Sequence, residues 1–211
     1  MSRPFILGLT GSIGMGKSTA AAALRRLGLP VHDSDAVVHA LYAPGGAAVD
    51  EIAAAFPGVV RSDGSVDRAA LSRRVIGDPA AIARLEAIVH PLVGEARDRF
   101  LRAMAARRER IVVLDIPLMF EAGLDRLCDA VIVVSALPFL QKARVMSRPG
   151  MTSDRLAAIL GQQMPDAEKR RRADFVVPTG SGRRASLRRL AEIVRVMRRR
   201  PARRTHARSR P

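Results

Sequence analysis

The chain has 211 residues, a formal net charge of +16, one cysteine and no tryptophan. This length suits one domain with an inserted lobe, or two small domains. A single cysteine excludes an intramolecular disulfide framework and a cysteine-based zinc site. The scarcity of aromatic residues argues against a platform on which nucleic-acid bases stack. No stretch approaches the ~20 apolar residues of a membrane span, and the first apolar run is too short for a signal peptide. We therefore expect a cytoplasmic protein that does not contact membranes.

The positive charge is concentrated at the C-terminal end. Residues 183–211 contain twelve arginines and one acidic residue, so they carry +11 of the +16. Residues 201–211 contain too few apolar side chains to fold, and we expect a disordered basic tail. Such a tail can bind polyanions weakly and without sequence preference, which leaves a nucleic-acid-binding module as an alternative. We expect no specific nucleic-acid partner and a monomeric protein.

The first predicted elements are a strand, a loop and a helix. Residues 5–9 form a short apolar run that is typical of a buried parallel strand, and glycines follow it. A helix is predicted from Lys17 to Leu27, ending before Gly28. A second strand is predicted to end at His32 and Asp33. Ser34 or Asp35 would then cap a helix that runs toward Leu41.

Residues 44–109 show helical periodicity, which we expect to be interrupted at Pro57, Gly64, Pro79 and Pro91. They predict a helical lobe inserted into a core made of residues 1–43 and 110–200. Apolar runs at 111–117, 129–134 and 173–178 predict three further strands. The alternation of strands and helices indicates an α/β fold with a parallel sheet flanked by helices.

Two helices and a turn are predicted between the last two strands. The first helix runs through Met146, an Arg-Pro-Gly turn follows, and the second begins at Ser153. We expect residues 144–165 to form a small lid. A final helix is predicted from Arg183 to about Arg199.

The glycine-rich loop after the first strand matches the phosphate-binding pattern G-x-x-x-x-G-K-[ST] in full. Glycines let backbone N–H groups converge on phosphate oxygens at a helix N-terminus. Lysine is rare in this chain, with three residues against 33 arginines, so a lysine in this loop is not background. Lys17 would neutralise phosphate charge and Ser18 would ligate Mg²⁺. The expected nucleotide-binding residues are Gly11, Ser12, Ile13, Gly14, Met15, Gly16, Lys17, Ser18 and Thr19.

Two carboxylates follow the second predicted strand. Asp33 and Asp35 would lie at the carboxyl edge of the sheet, where ligands of α/β proteins bind. One could accept the proton of an attacking hydroxyl, and the other could orient that base or bind Mg²⁺ through water. Helix capping is the structural alternative for these residues.

Asp115 comes at the end of another apolar strand, which is the position of a carboxylate that holds a metal ion in phosphate-loop enzymes. Single acidic residues at strand ends are common, so a structural role stays open. Pro117 and Glu121 are expected to shape the adjacent loop. His90 precedes Pro91 in the helical lobe, and we interpret it as structural or acceptor-binding.

Gln141, Arg144 and Arg148 follow i, i+3, i+7 spacing and are predicted to share one helix face, with Arg155 beyond the turn. Small kinases use such a face to bring guanidinium groups onto phosphates. A solvated arginine face is the alternative.

Taken together, the motifs resemble those of the dephospho-coenzyme A kinase family. The matching segments are "GLTGSIGMGKST", "HDSDAVVH", "LEAIVHPLV", "LDIPLMFEAGL", the Gln141-to-Arg148 pattern and "ADFVV". They extend over residues 5–180. The phosphate loop alone indicates only a superfamily, whereas the acid pair together with "HPL" and "PLMFE" is far more specific.

The resemblance implies a P-loop NTPase-type fold and transfer of the ATP γ-phosphoryl group to the ribose 3′-hydroxyl of dephospho-CoA. It implies ATP with Mg²⁺ in the phosphate loop, Asp35 as the base and Asp33 as its supporting acid. It further implies Arg148 as the lid cation, with Arg144 at the nucleotide. The helical lobe would wrap the acceptor. A nucleoside monophosphate or another small alcohol remains an alternative acceptor.

The sequence departs from the family pattern at two places. After "ADFVV" the family usually continues with Asp-Asn, whereas this chain has Pro178 and Thr179. An amide contact to the adenine would therefore be missing. Pro149 replaces the usual acidic residue after Arg148, and this could alter closure of the lid.

Overall fold

The computed structural model describes residues 3–199 of the chain. Its centre is a five-stranded sheet with the strand order β2-β3-β1-β4-β5. The pairs β1–β3, β1–β4 and β4–β5 are parallel. The predicted parallel α/β fold is thus confirmed. The strands are β1 Phe5–Thr10, β2 Val31–Asp33, β3 Ile111–Asp115, β4 Ala130–Ser135 and β5 Phe175–Pro178.

Residues 3–199 also form nine α-helices and one short 3₁₀-helix, Leu124–Leu127. The α-helices are α1 Lys17–Arg26, α2 Ser34–Leu41, α3 Val49–Ala55, α4 Arg68–Val75, α5 Pro79–Ala106, α6 Pro138–Met146, α7 Ser153–Gly161, α8 Asp166–Arg172 and α9 Arg183–Arg199.

The described residues form two compact units, one made of residues 3–32 with 103–199 and the other of residues 33–102. The first unit contains the central strands, α1 and α9. Strands β1, β3 and β4 are almost entirely buried, as expected for parallel strands that are covered on both faces. One face packs against alanines of α1 and against Leu190, Ile193 and Met197 of α9. This packing fixes the strand ends from which the phosphate loop and the loop after β3 emerge.

The second unit, Asp33–Arg102, has an apolar cluster of its own. Ile52 and Phe56 are buried there together with Leu71 and Val89, and Leu41 of α2 belongs to the same cluster. This packing explains why the unit begins before residue 44, where the sequence placed the start of the lobe. The lobe and lid boundaries themselves stay predictions.

Pro91 does not interrupt the helical pattern, contrary to the sequence prediction. It lies inside α5, which runs without a break from Pro79 to Ala106. A proline inside a helix removes one backbone hydrogen bond. Val89 is buried close to it, and Leu92 and Val93 pack on the same apolar cluster, so burial of this helix face offsets the loss.

Helix α8 was not predicted at all. Its sequence, "DAEKRRR", has no apolar periodicity, and its one buried side chain is that of Lys169. The other predicted helices and strands are present with ends within a few residues of those expected. No helix in the described part, residues 3–199, is long and apolar enough to cross a membrane. The predicted tail, residues 201–211, lies outside that part.

Candidate active site

The phosphate loop joins β1, which ends at Thr10, to α1, which begins at Lys17. Gly14 and Gly16 have φ angles of 77° and 91°, a left-handed conformation that other residues rarely adopt. A Cβ on Gly14 would also lie 2.6 Å from Cγ2 of Val145, because α6 packs directly against the loop. The turn therefore requires both glycines, and the neighbouring helix adds a second reason at Gly14.

The N-terminus of α1 is suited to an anion. Gly16 occupies the N-cap position and has no side chain with which to cap the helix, and the first turn contains no acidic residue. Such a terminus presents backbone N–H groups and a favourable helix dipole to a phosphate. Ser18 and Thr19 are exposed in the first turn, so their hydroxyls can be reached from solvent.

Lys17 pairs with Asp115. Its Nζ lies 2.9 Å from Oδ1 of Asp115, and the two side chains are 14% and 2% exposed. Asp115 is the last residue of β3, next to β1 in the sheet. The neighbouring loop is tied to β1 because the hydroxyl of Thr10 donates to the carbonyl of Pro117 at 2.8 Å. A buried carboxylate thus holds the lysine of the phosphate loop within the first unit.

The oxygen atoms beside the phosphate loop fit Mg²⁺ in kind. The Ser18 hydroxyl and the Asp115 carboxylate are hard donors of the type that Mg²⁺ prefers. Among residues 3–199, no three or more His, Cys, Asp or Glu side chains form a metal-binding group. This sparse set is compatible with Mg²⁺, which usually takes one or two protein oxygens together with water and substrate phosphates.

Helix α6 contributes two side chains to the loop. Nε2 of Gln141 donates to the carbonyl of Ile13 at 2.8 Å, and Nη1 of Arg144 donates to the carbonyl of Gly14 at 3.3 Å. Arg148 does not share this helix face as predicted, because α6 ends at Met146 and Arg148 lies exposed in the following turn. Arg155 donates to the carbonyl of Gly150 at 2.7 Å, so it shapes the turn itself.

Thr179 stands where the family pattern has an asparagine, so the sequence indicated that an amide contact to the adenine would be missing. The two terminal nitrogens of Arg144 bind one residue, with Nη1 3.0 Å from Oγ1 of Thr179 and Nη2 2.7 Å from its carbonyl oxygen. The Thr179 hydroxyl in turn donates to the carbonyl of Met15 at 2.8 Å. The residue after β5 is thus linked both to α6 and to the phosphate loop.

Sequence reasoning missed two further polar residues near these elements. Oε1 of Gln163 accepts the Ile13 N–H at 3.1 Å. Lys169 of α8 is fully buried, and its Nζ lies 2.8 Å from Oε1 of Glu121. That same oxygen accepts the N–H of Met164 at 2.8 Å. The rarity of lysine, which drew attention to Lys17, was also a signal for Lys169.

The Glu121 carboxyl has a lowered pKa. Burial alone would raise this pKa and is the largest single influence. The Lys169 ammonium and the backbone N–H groups of Glu121 itself and of Met164 favour the ionised carboxylate and together outweigh it. Glu121, which the sequence assigned to shaping a loop, therefore acts as an ionised anchor for the segment that leads into α8.

Asp33 and Asp35 belong to the second unit, and its geometry is described by itself. Asp33 is the last residue of β2 and the N-cap of α2, where its Oδ1 accepts the N–H of Ala36 at 3.1 Å. The cap is therefore Asp33 and not Ser34 or Asp35. Asp35 lies exposed in the first turn of α2, and His90 is exposed on α5. Asp33 thus has a structural role, while the chemical roles of both aspartates stay predictions.

Comparison with known proteins identifies a family. The family model described as dephospho-CoA kinase matches residues 5–183. The dephospho-CoA kinase of Paramagnetospirillum magneticum is 66% identical over 165 residues, which are 78% of this chain and 77% of that protein. The dephospho-CoA kinase of Rhodospirillum rubrum is 56% identical over 185 residues, which are 88% of each chain.

Solved structures agree on the fold. The crystal structure of TT1252 from Thermus thermophilus has a TM-score of 0.80 and 37% identity, over 92% of this chain and 97% of that one. The dephospho-CoA kinase from Campylobacter jejuni has a TM-score of 0.63 over 91% and 96%, and at 21% identity it supports the fold. The phosphate loop and the matches over nearly the whole chain lead to one conclusion: the chain belongs to the dephospho-CoA kinase family.

Proposed function

We propose that this protein transfers the γ-phosphoryl group of ATP to the ribose 3′-hydroxyl of dephospho-CoA, the last step of coenzyme A synthesis. Family membership over residues 5–183 supports the reaction. The observation that supports ATP as the donor is the phosphate loop. There Lys17, at the N-terminus of α1, is held 2.9 Å from the buried carboxylate of Asp115. ATP is then the phosphoryl donor.

In this proposal the donor phosphates lie against the backbone N–H groups from Gly14 to Thr19. The Lys17 ammonium neutralises negative charge on the β- and γ-phosphates. When bound, Mg²⁺ would be held by the Ser18 hydroxyl and would supply further charge neutralisation. Because phosphoryl transfer needs little covalent help, positioning and charge neutralisation account for most of the catalysis.

Asp35 is the proposed base. Its carboxylate accepts the proton of the ribose 3′-hydroxyl while that oxygen forms a bond to the γ-phosphorus. The bond between the γ-phosphorus and the bridging oxygen breaks, and ADP leaves. Asp33, the N-cap of the helix whose first turn contains Asp35, is the proposed supporting acid. Arg148 and Arg144 are the proposed cations on the lid side, with Arg148 on the transferring phosphate and Arg144 at the nucleotide.

The finer features of the setting are also proposals. We expect the enzyme to work in the cytoplasm, where its single cysteine, Cys128, would stay reduced. We also expect it to be a monomer. Weak polyanion binding by residues 201–211 would be an accessory property.

The test is an assay of ADP release with dephospho-CoA, compared with a panel of nucleoside monophosphates and small alcohols. We expect turnover with dephospho-CoA at least about a hundredfold above the others, as a site built around the acceptor's polar groups permits. Preference for a nucleoside monophosphate would overturn the acceptor assignment.

Asp35→Asn should lower kcat by about 10²- to 10⁴-fold while ATP binding is kept. Asp50→Asn, in the exposed first turn of α3, is the matched control.

A further inference from the structure

In the phosphate loop, the backbone N–H and the backbone carbonyl of Ile13 are each hydrogen-bonded to a glutamine side chain. Oε1 of Gln163 accepts the N–H of Ile13 at 3.1 Å, and Nε2 of Gln141 donates to the carbonyl of Ile13 at 2.8 Å. Gln141 lies in α6 and is only 8% exposed, and Gln163 follows the end of α7. The segment between the two glutamines is thus anchored at both ends on Ile13.

These two contacts set the direction of consecutive peptide planes. The described peptide bonds are all trans, so the N–H and C=O of each peptide point in opposite directions. Gln163 accepts the Ile13 N–H, and the Ser12 carbonyl at the opposite edge of the same peptide accepts the Met15 N–H at 3.1 Å. Gln141 draws the Ile13 carbonyl toward α6, so the N–H of Gly14 points away from α6.

Orientation of these planes matters because phosphate binding relies on backbone N–H groups that already converge before the ligand arrives. A loop of glycines has the largest conformational freedom to lose on binding. Without a fixed Ile13, ordering of the loop would have to accompany each binding event and would weaken affinity.

We infer that Gln163 is a positioning residue of the ATP site, which holds the Ile13 peptide so that the following N–H groups face the phosphates. This inference deepens the proposed function and rests on it for the identity of the nucleotide. The acceptor does not enter this inference, because the hydrogen bond that carries it joins Gln163 to the loop. By linkage, bound ATP in turn strengthens the attachment of the segment after α7 to the loop.

The decisive variant is Gln163→Leu, which removes the acceptor at similar size. Its neighbour provides a matched control, because Gln162 is also a glutamine at the end of α7 and its side chain is exposed. ATP affinity is measured by titration calorimetry in the absence of any acceptor. We expect the Kd for ATP to rise about tenfold in Gln163→Leu and to stay within about twofold in Gln162→Leu.

Two further readouts separate positioning from general damage. The Ile13 amide should exchange its hydrogen slowly in the native protein and markedly faster in Gln163→Leu, at an unchanged melting temperature. In the kinase assay the KM for ATP should rise while the KM for dephospho-CoA stays within about twofold.

Native ATP affinity in a folded Gln163→Leu protein would overturn the inference, as would an Ile13 amide that exchanges freely in the native chain. If Gln163→Leu does not fold, Gln163→Met and the native exchange rate decide in its place. If the native protein prefers an acceptor other than dephospho-CoA, the proposed acceptor is wrong, but ATP binding and Ile13 exchange still test Gln163 independently.

Discussion

The ammonium of Lys17 lies 2.9 Å from the carboxylate of Asp115, whose side chain is only 2% exposed. A long lysine side chain has much rotational freedom, and a buried anion that holds it removes part of this freedom before the substrate binds. The ion pair with Asp115 therefore holds the lysine in place at the N-terminus of α1.

The first prediction concerns this lysine. Lys17→Met should lower kcat by about 10²- to 10³-fold, because a fixed cation is lost where negative charge is transferred. Steady-state kinetics with ATP and dephospho-CoA measure the effect. Lys142→Met removes an exposed lysine of α6 and should leave kcat within about twofold. Thermal melting of both variants is the control, since Asp115 loses a cationic partner. A kcat close to the native value in a folded Lys17→Met protein would contradict the proposed charge neutralisation.

The second prediction separates the two roles of Asp33. As an N-cap, its side chain accepts the Ala36 N–H, so Asp33→Ala should lower the free energy of unfolding by about 1 kcal/mol. Asn caps helices about as well as Asp, and Asp33→Asn should therefore unfold like the native protein in denaturant.

Activity then tests the chemistry at this position. If Asp33 supports the base through its charge, Asp33→Asn lowers kcat by about tenfold or more at native stability. Native kcat in Asp33→Asn would reduce Asp33 to a structural cap. Asp67→Asn, which alters the N-cap of α4, is the matched control and should leave kcat unchanged.

The third prediction concerns Thr179. Its hydroxyl accepts from Arg144 and is shared between the carbonyls of Met15 and Ser135, so Thr179→Val removes these hydrogen bonds at almost the same volume. We expect the KM for ATP to rise about five- to thirtyfold, which corresponds to about 1–2 kcal/mol. Thr179→Ser keeps the hydroxyl and should restore most of the affinity. Equal behaviour of the Val and Ser variants would show that the hydroxyl has no part in binding.

The sequence predicted those parts of the site that are encoded by adjacent residues. The pattern from Gly11 to Ser18 specified a strand, a turn and a helix N-terminus, because each requirement lies within a few positions. Lys17 and Asp115 were each predicted to belong to the site, but their ion pair was not predicted. The contact between Ile13 and Gln163 joins residues 150 positions apart, and no local pattern reports such a contact.

Other differences have local physical causes. Arg148 was expected on the helix face of Gln141 and Arg144 because of its i, i+7 spacing. The helix ends at Met146, as predicted, and helical spacing does not apply to a residue in the turn that follows. Helix α8 escaped prediction because its buried residue is a lysine, and apolar patterning does not detect a helix that is anchored by an ion pair. The sequence indicated only that an amide side chain was missing at Thr179, whereas the Thr179 hydroxyl forms hydrogen bonds with Arg144 and with the Met15 carbonyl.

The last prediction concerns the ion pair that anchors α8. Lys169 is fully buried and Glu121 is 19% exposed. Removing one partner leaves the other charge with poor solvation, so Lys169→Met should lower the free energy of unfolding by about 3 kcal/mol. The double variant Lys169→Met with Glu121→Leu should lose less than the sum of the single changes, because neither charge is then left alone. Urea denaturation at pH 7 measures each step.

The pair also predicts a dependence of stability on pH. The pKa of Glu121 in the folded state lies below its ordinary value of 4.5. The ionised carboxylate therefore stabilises the protein above the unfolded-state pKa, and this contribution is lost as the pH falls through the folded-state pKa. Unfolding curves between pH 7 and pH 3 should show a steeper acid loss for the native protein than for the double variant. Equal slopes would show that another carboxylate governs acid unfolding and that Glu121 does not anchor α8 through its charge.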